Sequence, residues 1–171
     1  MMEYRNSKLT MGTEEMTLAG VVVPYGVTSP ITPKFSEVFT PGSLQFSDVI
    51  LNRQHDRAAT LARTPGNLTL EDDARALTMT ARLLETRLGK DTYQEVRSGL
   101  LRGLSVEMQV LKDSWSEMEG ENRMLRTIHK AELHNIAVVD HPAHQTANVE
   151  ARQELETRAD YHHIETWPKW T

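Results

Sequence analysis

Apolar positions along this chain fall mostly in short β-branched or alternating runs, with helical spacing in two places. Residues 18–23, with Val21, Val22 and Val23 in a row, read as a strand that stops at Pro24, which has no N–H to give to a ladder. The density of Pro, Thr, Ser and Gly over residues 25–41 predicts a long loop, of the kind that is often functional or mobile. Residues 41–46 read as a short helical turn, and residues 49–52 as the next strand, which delivers His55 at its end. A hairpin follows: residues 67–70, an acidic turn at Glu71, Asp72 and Asp73, then residues 76–84 with Leu77, Met79 and Ala81 on one side.

The clearest helix is predicted over residues 90–98. Asp91 or Thr92 can cap it, Tyr93, Val96 and Leu100 recur at helical spacing, and Gly99 suits its C-terminal end. Ser105 comes a few residues later, at the start of a strand over residues 104–111. A polar, turn-like stretch at 113–122 leads to strands at 124–128 and 133–139, and residues 147–158 fit a final helix. Many short strands with few helices predict a mainly β, α+β fold: a closed or nearly closed β-barrel surrounded by a few helices. The expected organisation is a flexible N-terminal segment at 1–17, one domain at 18–158, and a short aromatic and polar tail at 159–171.

Composition narrows the chemistry. With 171 residues, 39% hydrophobic and 25% charged, the chain suits one globular domain with its own core. There is no cysteine, so disulfides, a thiolate nucleophile and Cys-ligated zinc are excluded. A formal net charge of -5 and no basic cluster argue against nucleic acid as the partner. The longest apolar runs are far too short to span a bilayer, and residues 1–17 lack the hydrophobic region of a signal peptide. A soluble, cytoplasmic protein is expected.

His55, in Leu51-Asn52-Arg53-Gln54-His55-Asp56, and Ser105, in Arg102-Gly103-Leu104-Ser105-Val106-Glu107, each stand at the edge of a predicted strand. Together they suggest a serine nucleophile and its general base, because a serine hydroxyl is a poor nucleophile without a neighbouring proton acceptor. A second grouping, Asp140, His141 and His144 with His134 nearby, carries zinc-compatible donors, although Pro142 between the two histidines fits a turn. His162, His163, Trp167 and Trp170 belong to the tail; the histidines read as solvent-exposed and the tryptophans as a partner contact or a mobile end.

The order of motifs resembles the tailed-phage prohead (capsid maturation) proteases, which are related in fold to the herpesvirus assemblins. The resemblance covers roughly residues 18–149. It is carried by Gly-Val-Val-Val-Pro-Tyr-Gly, by Glu37-Val38-Phe39-Thr40-Pro41-Gly42-Ser43-Leu44 and by Gln54-His55-Asp56. The helix ending in Ser98-Gly99-Leu100-Leu101-Arg102-Gly103-Leu104-Ser105, and the run from Ala131-Glu132-Leu133 through Val138-Val139 to Pro142-Ala143, complete the set.

The resemblance implies a β-barrel serine endopeptidase without a cofactor, with Ser105 as nucleophile and His55 as general base. It points to Glu132 as the third member. His129 and His134 flank Glu132, and the herpesvirus relatives use a second histidine in that role. Glu132 ranks first because an ionised carboxylate stabilises an imidazolium better than a neutral ring does, with His134 second. Asn135 stands where the family more often has an acidic residue.

The implied substrates are the major capsid protein and scaffold segments, with self-cleavage and a homodimer as further expectations. The implied place of action is the host cytoplasm, inside the prohead. The loop predicted at 25–41 would serve as a substrate groove or a contact with capsid protein. Two other functions remain open on the residues: a non-enzymatic capsid-assembly or scaffold-associated module, and a metal-dependent hydrolase using His134, Asp140, His141 and His144.

Overall fold

One strand, the last one described, holds most of the fold together. In a computed structural model, residues 2–7, 9–11 and 16–140 are described, the first two stretches as backbone alone. In chain order the strands are β1 (Met2–Ser7), β2 (Leu9–Met11), β3 (Thr17–Pro24), β4 (Ser29–Thr32), β5 (Phe35–Phe39), β6 (Leu44–Gln45), β7 (Ile50–Arg53), β8 (Asp56–Arg63), β9 (Leu68–Asp72) and β10 (Ala76–Arg82). Helix α1 (Arg87–Arg97) precedes the two long strands β11 (Gly103–Glu117) and β12 (Met124–Val139).

One edge of β12 pairs antiparallel with β11 along its whole length. The other edge is shared by three short strands running parallel to it: β5 beside residues 124–128, β6 beside Ala131 and Glu132, and β7 beside residues 135–138. β1 extends this sheet on the far side of β11, β4 pairs with β5, and β8 pairs with β7, giving eight strands. A second sheet has four strands in the order β2-β3-β10-β9. Neither sheet closes on itself, so the expected closed or nearly closed barrel is not what the strands form. Among the described residues α1 is the one helix, and none is long and apolar enough to cross a membrane.

The core follows from alternation. On β11 and β12, Leu104, Val106, Met108, Leu133, Ile136 and Val138 are almost fully buried on one face, packed with Leu18 and Val22 of β3, Leu51 of β7 and Leu77 and Met79 of β10. Full burial of an aliphatic side chain of this size is worth about 1.5–3 kcal/mol. Period 2 sends Ser105 and Glu107 to the opposite face, yet both stay buried. In this way one strand supplies core packing and a polar surface at once.

Several expectations are corrected by pairings that lie far apart in sequence. The predicted loop at 25–41 contains the antiparallel pair β4 and β5, because β5 finds its template in β12. The stretch at 41–46 is a turn followed by the two-residue β6, not a helical turn. β8 has few β-branched residues and is held by its hairpin with β7. Residues 113–117 continue β11 instead of turning. This polar ribbon is stitched by Arg126, whose Nε donates to Asp113 at 2.6 Å and whose guanidinium lies 5.5 Å from the Trp115 ring centre. Residues 124–139 form one strand in place of two, crossing bulges in its register with β11. The helix expected at 147–158 lies outside the described residues.

The helix begins earlier than predicted because Thr86, not Asp91 or Thr92, is its N-cap: its hydroxyl accepts from the Gly89 N–H at 3.1 Å. It stops as expected, with Gly99 at φ 78°. Gly89 is required on steric grounds, since a Cβ there would collide with the Leu84 carbonyl oxygen. Gly89→Ala is therefore expected to destabilise the protein by about 1–3 kcal/mol in denaturant unfolding, although alanine is the better helix former.

Candidate active site

A tight turn supplies the imidazole. Arg53 of β7 pairs with Asp56 of β8, leaving Gln54 and His55 as a two-residue hairpin loop. Both have positive φ, 55° and 58°, as a turn whose twist matches the flanking strands demands. The left-handed region is uncommon for non-glycine residues, and it costs backbone energy that other contacts must offset. Two such contacts flank the turn. Gln54 N–H donates to the Val138 carbonyl of β12 at 2.9 Å. Arg53 reaches α1 with a two-pronged ion pair, Nε and Nη2 to the Glu95 carboxylate at 2.8 and 2.6 Å.

The hydroxyl comes from β11. Ser105 is 4% exposed and stands opposite Ala137 on β12, with Asn6 of β1 opposite it on the other edge. Neighbours across a sheet share a face, so Ser105, Ala137 and Asn52 of β7 form one row, and Glu107, Asn135 and Ile50 the next. The His55 ring meets the first row: its Nε2 lies 2.8 Å from Ser105 Oγ, a full hydrogen bond between residues 50 apart in sequence.

The second row faces the other ring nitrogen. Asn135 is buried and donates Nδ2 to the Ile50 carbonyl at 3.0 Å, which fixes which end of its amide carries the acceptor. It acts on His55 as a hydrogen-bonding side chain that favours the charged ring. Ring Nδ1 and Asn135 Oδ1 are both buried. Burial is the strongest influence on His55 and moves its pKa down from the ordinary 6.5, with Asn135 and then the Glu107 carboxylate pulling the other way. Burial thus favours the neutral ring. A hydroxyl bonded to a neutral imidazole can pass its proton to that ring as it attacks an electrophile.

The residues expected to complete the pair stand elsewhere on β12. Glu132 is half-buried and sits opposite Gln109, four positions beyond Ser105 on β11, roughly 13 Å along the strand. His134 is the extra residue of the bulge between Asn135 and Leu133. His129 is exposed on the distant ribbon, its Nε2 2.7 Å from Ser114 Oγ. Asp140 is exposed, while His141 and His144 lie outside the described residues. Among the described residues, no three His, Asp or Glu side chains gather as a metal-binding group.

Two residues of the second row, Asn135 and Glu107, were not among the candidates read from the sequence. Counting by two from Ser105 reaches Glu107. A carboxylate inside an otherwise apolar strand start was the available signal. Asn135 is harder to find, because the bulge at His134 breaks the count along β12.

Comparison with known proteins bears on the same pair. No curated protein and no solved structure matches the chain significantly. The family model described as caudovirus prohead serine protease matches residues 2–160, nearly the whole chain and both halves of the Ser-His pair. The chain therefore belongs to the family of caudovirus prohead serine proteases.

Proposed function

We propose that the protein is the capsid-maturation endopeptidase of its phage, acting within the prohead on scaffold regions of the major capsid protein and on its own chain. Ser105 is the nucleophile, His55 the general base and Asn135 the third member. The observation that carries this reading is the 2.8 Å bond between His55 Nε2 and Ser105 Oγ, made by two strands that meet only through β12.

Ser105 Oγ attacks the peptide carbonyl carbon while its proton moves to His55 Nε2. The tetrahedral intermediate then collapses, the C–N bond breaks, and the same proton goes to the leaving amine. Water enters, gives a proton to His55, and attacks the acyl-serine. Collapse of this second intermediate returns the proton to Ser105 and frees the new carboxylate. Asn135 Oδ1 accepts from Nδ1–H and keeps the lone pair on Nε2, where Ser105 needs it. Asn135 replaces Glu132 and His134 in this role because it lies in the row that the ring faces.

Three outcomes are expected when the protein is incubated with its capsid protein and fragments are followed on gels. Ser105→Ala should lower the cleavage rate at least about a thousandfold, and a chelator should leave wild type unchanged. Asn135→Leu should slow cleavage roughly tenfold or more while Glu132→Ala stays near wild type; the reverse pattern would return the third role to Glu132. In kcat/KM against pH, the acid limb should have its midpoint below 6.5, because the free enzyme needs neutral His55 and burial lowers its pKa. An acid limb above 6.5 would contradict this site description.

A further inference from the structure

The proposed third member is an amide. It can orient an imidazole, but it carries no charge to balance the imidazolium that forms when Ser105 loses its proton. Next to it, directly across the β11–β12 ladder, stands a carboxylate: Glu107, 7% exposed, one same-face step from Ser105. It forms an ion pair with Arg57 Nη2, at 3.4 Å. Arg57 is 86% exposed, so the pairing is worth little against the desolvation of a buried carboxylate. For packing alone, an apolar residue at 107 would serve the strand better.

The charged or titratable groups around the ring come from several elements. They are Arg53 of β7 with its partner Glu95 of α1, Asp56 and Arg57 of β8, Glu107 of β11 and Asp140 after β12. Tyr4 of β1 stands opposite Glu107 in the backbone pairing. Arg53 and Glu95 compensate each other, and Asp56, Arg57 and Asp140 are exposed, where water screens them. Glu107 is the buried, ionisable group on the face that carries Ser105 and Asn135.

We propose that Glu107 is a positioning residue for the reaction: its buried carboxylate stabilises the imidazolium of His55 across the row it shares with Asn135, while Arg57 anchors it from the solvent side. Orientation and charge, which one aspartate supplies in the common serine-protease triad, are here divided between Asn135 on β12 and Glu107 on β11. The electrostatics of His55 agree in sign, since Glu107 favours its charged form. This inference deepens the reading of Ser105 and His55 as nucleophile and base, and its first test does not depend on that reading.

The first measurement is the NMR titration of His55 in full-length protein carrying Ser105→Ala, which needs no turnover. Adding Glu107→Gln should move the His55 midpoint down, because a favourable negative charge is lost. An unchanged midpoint with Glu107→Gln would overturn the proposal, and if that variant fails to fold, Glu107→Leu, which suits a buried strand position, is read in its place with the same downward shift expected.

The second measurement is kcat/KM against pH with Ser105 intact. Glu107→Gln should lose about tenfold and shift the acid limb down, and adding Asn135→Asp should restore both by moving the carboxylate across the strand pair. A loss with an unshifted limb and no rescue would mark Glu107 as structural and refute the proposal. Absence of Ser105-dependent cleavage in wild type would instead refute the protease assignment, with the NMR result still deciding on Glu107.

Discussion

The pairing of β12 with strands on both of its edges is the constraint on which the rest depends. β7 carries the turn with His55, and β11 carries Ser105; each is hydrogen-bonded to β12, which lies between them. A one-residue slip of either strand would exchange its core face for its polar face. Burial of Leu104, Val106 and Met108 on one side and of Leu51 on the other holds both registers. The 2.8 Å contact is thus a by-product of core packing. The hydrophobic face sets the register, and the register sets which polar groups meet.

The polar face shows how a small domain can tune one imidazole without a deeply buried ion pair around it. Desolvation pushes His55 towards its neutral form, which suits a base before the reaction. Asn135 and Glu107 pull in the other direction, which suits the same ring once it is protonated. Because the opposing influences come from different strands, each is adjustable by a single substitution. The left-handed turn at Gln54 and His55 keeps the ring at the junction, and the Arg53–Glu95 bridge to α1 ties the end of β7 in place.

What the chain made legible were features with local causes. The run Val21-Val22-Val23 before Pro24, the acidic turn between β9 and β10, and the glycine after α1 all have physical signatures within a few residues, and all were read nearly correctly. His55 and Ser105 could be nominated for the same reason, each being a polar residue at the edge of a strand. β5 and β6 could not, since their template β12 lies tens of residues away, nor could β8, which has few β-branched residues and is held by its hairpin with β7. The polar end of β11 looked like a turn because both of its faces are solvated, and alternation needs one dry face to appear. The polar row beside Ser105 was hidden for a related reason: a bulge at His134 changes which residues of β12 share the face of Ser105, and no count along the sequence reveals a bulge.

The placement of β12 also has a temporal side. β7 and β11 do not pair with each other, and the strand that joins them is the last of the described strands to leave the ribosome. A nascent chain that ends before residue 124 holds both members of the Ser-His pair but has no template to bring them together. Bringing residues 55 and 105 together then closes a loop of 50 residues, an entropic cost that the β12 contacts must offset in one step. The contact between Ser105 and His55 thus forms only once β12, the last of the described strands, is in place.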